Sequence, residues 1–165
     1  MRLSRGWEIL YDEEMKMKLL LITALIFSFA AGAAAQGDAE RAAVKQASMD
    51  YIEAVYNVDP SLAERSIHPE LVKRGFFIKK GETVYSPHAM TYEQFVQLAK
   101  TYNVKGTVPK DAPKEVVVFD VSDQTASVKV TAVWGIDYMH LAKYDGKWKI
   151  INILWQSPPK NAPMK

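Results

Sequence analysis

The stretch that decides the fold is Trp148-Lys-Ile-Ile-Asn-Ile-Leu-Trp155, which follows the dipeptide Asp145-Gly146. A two-residue hairpin loop needs positive φ at its central positions and favours Asp-Gly, so this dipeptide predicts a tight turn between two strands. Under strict alternation the second strand is apolar on both faces, and it must be covered on both sides. One face would carry Trp148, Ile150 and Leu154, and the other Ile151, Ile153 and Trp155.

Three helices are predicted ahead of these strands. The first begins after a favourable N-cap residue, Asp38, and repeats its apolar residues at intervals of three and four. The second begins at Asp59-Pro60, because proline is favourable in the first turn. The third begins at Thr91, which forms a capping box with Gln94. The apolar positions of the first helix are Val44, Ala47, Tyr51, Val55 and Val58.

The remaining segments predict a sheet. Residues 68–75 form a connecting segment, and a short hairpin follows with arms at 76–78 and 83–85. Gly135 lies where two long strands must bend, since a glycine inside a strand pattern commonly marks a bulge. The later strands are predicted at Glu115–Val121, Thr125–Trp134, Ile136–Tyr144 and Trp148–Gln156. The fold class is therefore α+β, with three helices packed in a strongly curved antiparallel β-sheet.

Residues 1–35 predict an upstream extension and a cleaved signal peptide. Two lysines precede an apolar run over residues 19–31, and small residues then allow cleavage after Ala35. The run is shorter than the roughly 20 residues that span a bilayer, so we expect no membrane attachment after cleavage. The mature domain is predicted to be residues 36–165, in the periplasm or outside the cell.

Composition excludes several classes of protein. The chain of 165 residues predicts one domain, and its net charge of +2 without a basic block argues against nucleic-acid binding. It has no cysteine, which excludes disulfides and thiolate metal sites. His68, His88 and His140 lack the spacing of a metal site, so we expect no metal. We also expect no cofactor, because no glycine-rich phosphate loop is present.

Four segments carry a resemblance to a known group of proteins. They are Tyr51-Ile-Glu-Ala-Val-Tyr56, Ile67-His-Pro-Glu-Leu-Val-Lys-Arg74, Asp137-Tyr-Met-His-Leu-Ala-Lys143 and Asp145-Gly-Lys-Trp-Lys-Ile-Ile-Asn-Ile-Leu-Trp155. With them the chain resembles the nuclear-transport-factor-2-like (NTF2-like) superfamily, also described as SnoaL-like or ketosteroid-isomerase-like cones. More narrowly, it resembles the secreted members that carry a lumazine-binding label.

The resemblance implies a pocket between the concave side of the sheet and the helices. It also implies a homodimer through the convex face of the sheet. Members of the superfamily include isomerase and cyclase enzymes as well as binding proteins without catalytic activity. The lumazine-binding label carries no known set of catalytic residues, so none is transferred to this chain.

Asp137 is the polar residue of most interest. It shares strand parity with Met139 and Leu141, which are expected to face the core. A desolvated carboxylate there could act as a general base or bind a ligand donor, whereas at a hydrated rim it would pair with Arg74 or a lysine. His140 has the opposite parity and is expected on the convex face, so a dyad with Asp137 is not predicted.

Aromatic side chains suggest the lining of a pocket for flat molecules, although such a stripe can also be plain core. His68 is expected either to cap the second helix or to lie at the cavity mouth. The predicted ligand contacts are Tyr51, Tyr56, His68, Tyr92, Phe95, Trp134, Asp137 and Trp155.

Three functions follow from this pattern. The first is non-catalytic binding of a small apolar or aromatic ligand in the concave pocket. The second is an isomerase- or cyclase-like enzyme with Asp137 as general base and Tyr51 or Tyr92 as oxyanion stabiliser. The third is an interaction domain whose cavity is filled by side chains. The two apolar faces of the last strand further predict a homodimer, which would cover one of them.

Overall fold

The computed structural model describes residues 13–79 and 81–158. The contacts divide the chain into two compact units, Met1–Asp38 and Ala39–Lys165, and the second contains the whole sheet. In the described part of the chain, no helix combines the length and the apolar character needed to cross a membrane. The first twelve residues of the predicted upstream extension lie outside the described residues.

The described residues contain three helices: α1, Glu13–Tyr56; α2, Pro60–Ser66; and α3, Tyr92–Thr101. The predicted caps of the two shorter helices are confirmed. The Asp59 side chain accepts a hydrogen bond from the backbone N–H of Ser61 at 3.0 Å. Thr91 and Gln94 form both hydrogen bonds of the capping box.

The predicted start of the first helix is wrong. Helix α1 includes Asp38, which therefore lies inside the helix and is not its N-cap. The segment before Asp38 is rich in alanine, the residue with the highest helix propensity, so the helical backbone begins upstream.

Six strands form one curved sheet in the order β2-β1-β6-β5-β4-β3. They are β1, Ile67–Ile78; β2, Tyr85–Met90; β3, Glu115–Val121; β4, Thr125–Ala132; β5, Gly135–Tyr144; and β6, Lys147–Gln156. The α+β class is confirmed. The sheet is mixed, however, because β1 and β6 pair in parallel while the other neighbours are antiparallel. These two strands are far apart along the chain, so no hairpin turn forces them to be antiparallel.

Residues 68–75 belong to strand β1, and the predicted connecting segment is wrong. Leu71, Lys73 and Gly75 are buried and alternate with exposed neighbours, as in a strand with one face on the core. A lysine and a glycine at two inward positions conceal this alternation in the sequence.

The turn between β5 and β6 has the predicted form. Asp145 and Gly146 have φ values of 48° and 74°, and Tyr144 pairs with Lys147 across the turn. Positive φ at both central residues is the geometry of the tightest hairpin loop.

Strand β6 contains a bulge at Ile151, where its register with β5 shifts by one residue. A bulge adds one residue to the strand and so reverses the alternation of side chains. Ile150 and Ile153, three positions apart, therefore both face the inner surface of the sheet. The inner residues of β6 are Trp148, Ile150, Ile153 and Trp155. Leu154 lies on the outer face and is 52% exposed. The predicted division of this strand into two apolar faces is therefore wrong.

The hydrophobic core lies between the helices and the inner face of the sheet. Its largest fully buried side chains include Tyr51, Phe95, Ile52, Ile67, Met139, Leu141, Ile150 and Ile153. The outer face keeps exposed apolar side chains, namely Val72, Phe76, Val117, Tyr138 and Leu154.

Gly135 begins β5 with φ of 134°. A Cβ atom there would lie 2.0 Å from the carbonyl oxygen of Gln156. We expect Gly135→Ala to lower the free energy of unfolding by about 3 kcal/mol, because backbone strain and a backbone clash add together. Urea denaturation measures this loss. Gly146→Ala is the control, since its φ of 74° is also positive but no atom lies within 4 Å of the new Cβ; an equal loss in both variants would contradict the clash.

Candidate functional site

A cavity lies between helices α1 and α3 and the inner face of the sheet. Its volume is about 150 Å³, similar to that of a cavity that accepts one benzene ring. Its lining residues are Tyr51, Val55, Lys73, His88, Met90, Phe95, Leu98, Tyr102, Trp134 and Trp155. The open space argues against the predicted alternative of an interior filled by side chains.

Lys73, which lines the cavity, belongs to a buried ion pair. Lys73 Nζ lies 3.0 Å from Asp137 Oδ1, and the two side chains are 5% and 0% exposed. Lys73 is on β1 and Asp137 is on β5, with β6 between them. The long lysine stem crosses β6 to reach the carboxylate.

Asp137 is also bound by two aromatic donors. Trp134 Nε1 donates to Asp137 Oδ2 at 2.7 Å, and the hydroxyl of Tyr51 donates to Oδ1 at 3.3 Å. Both carboxylate oxygens therefore have donors, and Asp137 is absent from the residues that line the cavity. This geometry favours a role in holding Lys73, Tyr51 and Trp134 over the predicted role of a general base.

Lys73 presents its ammonium to an aromatic enclosure. Its Nζ lies 5.1 Å, 5.8 Å and 5.4 Å from the ring centroids of Tyr51, Phe95 and Trp155, distances that suit cation–π attraction. It also donates to the Tyr51 hydroxyl at 2.5 Å. Burial lowers the pKa of Lys73, and the charge of Asp137 opposes that shift. Burial raises the pKa of Tyr51, with a further contribution from Asp137, so the phenol stays protonated.

Trp155 closes one wall of the cavity against β1. A Cβ atom at Gly75 would lie 2.3 Å from Trp155 Cδ1, so only glycine lets the indole lie flat on that backbone. Among the buried side-chain nitrogen and oxygen atoms of the described residues, Trp155 Nε1 alone has no hydrogen-bond partner. Buried donors are usually satisfied, and an unsatisfied one costs about 1–3 kcal/mol.

The structure brings four of the predicted contact residues together. Tyr51, Phe95, Trp134 and Trp155 all line the cavity. Tyr51 and Phe95 stack with ring centroids 4.6 Å apart, and Trp134 meets Tyr51 edge-on at 5.8 Å. Asp137 lies behind this wall, in contact with Trp134 and Tyr51.

Three other predicted contacts lie outside the cavity lining: Tyr56, His68 and Tyr92. The hydroxyl of Tyr56 donates to the carbonyl of Pro113, and it accepts from the backbone N–H of Val133. His68 stacks on Tyr144 at 4.2 Å and neither caps α2 nor reaches the cavity. The periodicity of helices and strands could not exclude these residues, because their places depend on which end of each element forms the cavity.

Sequence reasoning missed Lys73 and His88. Lys73 occupies an inward position of β1, but the lysine and the glycine at inward positions make this segment resemble a connection in the sequence. His88 lies at the exposed edge of the cavity and meets Trp155 edge-on at 6.2 Å. Recognising the alternation around Leu71 would have placed Lys73 inward. Over residues 13–79 and 81–158, no cluster of side chains suits a metal ion.

Comparison with solved structures identifies the fold. An NTF2-like protein of unknown function from Shewanella baltica OS155 has a TM-score of 0.54 and 13% identity, covering 73% of this chain and 95% of that one. A putative scytalone dehydratase from Novosphingobium aromaticivorans has a TM-score of 0.52 and 14% identity, covering 77% and 90%. An NTF2-like protein of unknown function from Silicibacter pomeroyi has a TM-score of 0.50 and 14% identity, covering 75% and 98%. The domain therefore has the NTF2-like fold.

Sequence comparison then identifies the family. The family described as "Putative lumazine-binding" matches residues 39–156, which is more than half of the chain. The chain belongs to that family, as its sequence resemblance predicted. Among curated proteins, none matches it.

The ion pair makes a prediction about stability. Lys73→Met leaves the Asp137 carboxylate buried without its ammonium, and we expect a loss of about 3–5 kcal/mol in the free energy of unfolding. Urea denaturation measures it. Lys73→Met combined with Asp137→Asn should recover part of the loss, because the Asn amide oxygen still accepts from Trp134.

Lys114→Met is the matched control. Lys114 Nζ pairs with Glu53 Oε1 at 3.3 Å on a partly exposed surface, so its loss should be within about 0.5 kcal/mol. Equal losses for the two lysine variants would contradict the importance of the buried pair.

Proposed function

We propose that this protein binds a small, flat, largely apolar or aromatic molecule in the cavity without converting it chemically. The observation that supports this most is the open cavity walled by Tyr51, Phe95, Trp134 and Trp155 around a single buried ammonium. Aromatic walls with few polar groups are typical of sites for flat ligands. The family description points to ligand binding as well.

The surroundings of Asp137 support a binding role over the enzymatic alternative. A general base needs a free acceptor within hydrogen-bond reach of the substrate, and Asp137 already accepts from Lys73, Tyr51 and Trp134 behind the cavity wall. The predicted oxyanion stabilisers are placed for other contacts, because the Tyr51 hydroxyl donates to Asp137 and Tyr92 lies outside the cavity lining. The dehydratase named above shares the fold at 14% identity and carries no activity over to this chain.

The proposal includes export and pairing. The apolar run and the small residues before Ala35 support removal of residues 1–35 as a signal peptide, which would leave residues 36–165 in the periplasm or outside the cell. The exposed apolar side chains on the outer face of the sheet, such as Phe76 and Tyr138, support a homodimer.

Native mass spectrometry tests these three points together. The full chain is produced in a host that exports it, and the protein is purified from the extracytoplasmic fraction. We expect the mass of residues 36–165, doubled by dimerisation and increased by a retained small molecule. A mass that includes residues 1–35 would contradict cleavage, and a single-chain mass would contradict the dimer. If no added mass is found, the probe titration described next tests whether the cavity binds a ligand.

A variant that fills the cavity tests the binding site. Leu98 lines the cavity, and Leu98→Trp puts a bulkier ring in the ligand volume. We expect this change to weaken binding of the neutral fluorescent probe N-phenyl-1-naphthylamine at least tenfold, because tight cavities accept little extra volume. Fluorescence titration measures the dissociation constant, and urea denaturation checks that the variant is folded.

Val104→Trp adds the same indole at a residue that is 63% exposed and outside the cavity lining. This control should bind the probe as the unaltered protein does. Equal weakening in both variants, or no probe binding to the unaltered protein, would contradict the proposed site.

A further inference from the structure

We propose that the ligand is an aromatic carboxylate that inserts one ring into the cavity and keeps its carboxylate at the mouth, beside His88 and Tyr102. This inference rests on the proposed function, because it names the chemical class of the molecule that the cavity binds. It follows from the size of the cavity, from the charges at its depth and from the exposure of the residues that line it.

The size of the cavity limits the inserted group to a single ring. A volume of about 150 Å³ is that of a cavity that accepts one benzene ring. Tyr51 and Phe95, which form one wall, are buried and stack with ring centroids 4.6 Å apart. Such a wall is close-packed and accepts little extra volume, so a substituent on the ring has to lie at the mouth.

The charges inside the cavity argue against a carboxylate at its depth. The ammonium of Lys73 is already compensated by the carboxylate of Asp137, and both side chains are buried. A ligand carboxylate beside Lys73 would bring a second negative charge close to Asp137, and the described lining contains no further buried cation. Because burial of an uncompensated charge is costly, an anionic substituent is expected at the end of the cavity that meets water.

His88 and Tyr102 form that end of the cavity. They are the two exposed residues of the lining, whereas its other residues are buried or half-buried. His88, on β2, meets Trp155 edge-on with ring centroids 6.2 Å apart. Tyr102, which caps the C-terminus of α3, meets Trp134 edge-on at the same distance. The mouth therefore places two polar side chains next to the indole walls that would hold the ring.

Both mouth residues have hydrogen-bonding groups that the protein leaves unused. Among the described residues, neither the imidazole of His88 nor the hydroxyl of Tyr102 has a hydrogen-bond partner. The imidazole carries at least one N–H donor whether it is neutral or protonated. Burial raises the pKa of Tyr102, so its hydroxyl keeps its proton and can donate. A carboxylate has two oxygens that only accept, which matches two donors, and its remaining lone pairs stay in water.

The test compares three para-substituted benzenes on the purified protein. They are 4-methylbenzoate; 4-nitrotoluene, which has the same shape without the charge; and terephthalate, which has a carboxylate at both ends. Each is titrated into the ¹⁵N-labelled protein, and the shifts of backbone amide resonances give the dissociation constant. We expect 4-methylbenzoate to bind about fivefold more tightly than 4-nitrotoluene, which corresponds to about 1 kcal/mol, the size of one net hydrogen bond. Terephthalate should bind most weakly, because one of its carboxylates would have to enter the cavity.

Two variants remove the donors at the mouth. His88→Phe keeps a ring against Trp155 and removes the N–H, and Tyr102→Phe removes the hydroxyl alone. Each should lose part of the preference for 4-methylbenzoate while 4-nitrotoluene still binds. His68→Phe is the matched control, since His68 stacks on Tyr144 outside the cavity lining, and it should keep the preference unchanged. Urea denaturation checks that each variant is folded.

The outcomes separate the two proposals. Equal binding of 4-methylbenzoate and 4-nitrotoluene, tightest binding by terephthalate, or a preference that both mouth variants keep would overturn the carboxylate inference. The proposed function would stand in these cases, because an aromatic molecule still binds. If N-phenyl-1-naphthylamine binds but none of the three benzenes does, the inference is overturned and the proposed function again stands. If neither that probe nor any benzene binds the unaltered protein, both proposals are overturned.

Discussion

The buried ion pair between Lys73 and Asp137 is the constraint on which the rest of the site depends. It joins β1 to β5 across β6, and the same carboxylate positions Trp134 and Tyr51. Because a buried charge without a partner is very costly, these four side chains hold one another in a single arrangement. The cavity owes its shape to this polar cluster as much as to the apolar packing around it.

The pairing of the Lys73 ammonium with Asp137 decides the charge of the cavity. The wall is apolar and aromatic, and the Lys73 ammonium within it is compensated by Asp137, so the site carries little net charge. The phenol of Tyr51, whose pKa is raised by burial, adds no charge to this balance.

Local signals predicted most of the fold. The Asp145-Gly146 turn, the Asp59 cap and the Thr91 capping box each depend on a few neighbouring residues, and all three are confirmed. The parallel pairing of β1 with β6 and the bulge at Ile151 depend on contacts between distant segments, which no local pattern records. Asp137 was correctly expected to face inward.

The site was harder to predict than the fold for the same reason. A lysine at an inward position breaks the alternation of apolar and polar residues that marks a strand. The sequence pattern therefore gives no sign of Lys73, although it is the main polar group of the cavity. The partner that buries Asp137 could be recognised only once β1 was placed next to β6. The aromatic residues predicted the position of the cavity more accurately, because four of those named from the sequence lie in its lining.

The parallel contact between β1 and β6 also governs when the site comes into existence. Lys73 and Asp137 are 64 positions apart, and β6, which lies between their strands, is the last strand of the sheet to leave the ribosome. Pairings of such long range form late and slowly during folding. A chain still emerging during synthesis therefore has neither the polar cluster nor the complete wall of the cavity.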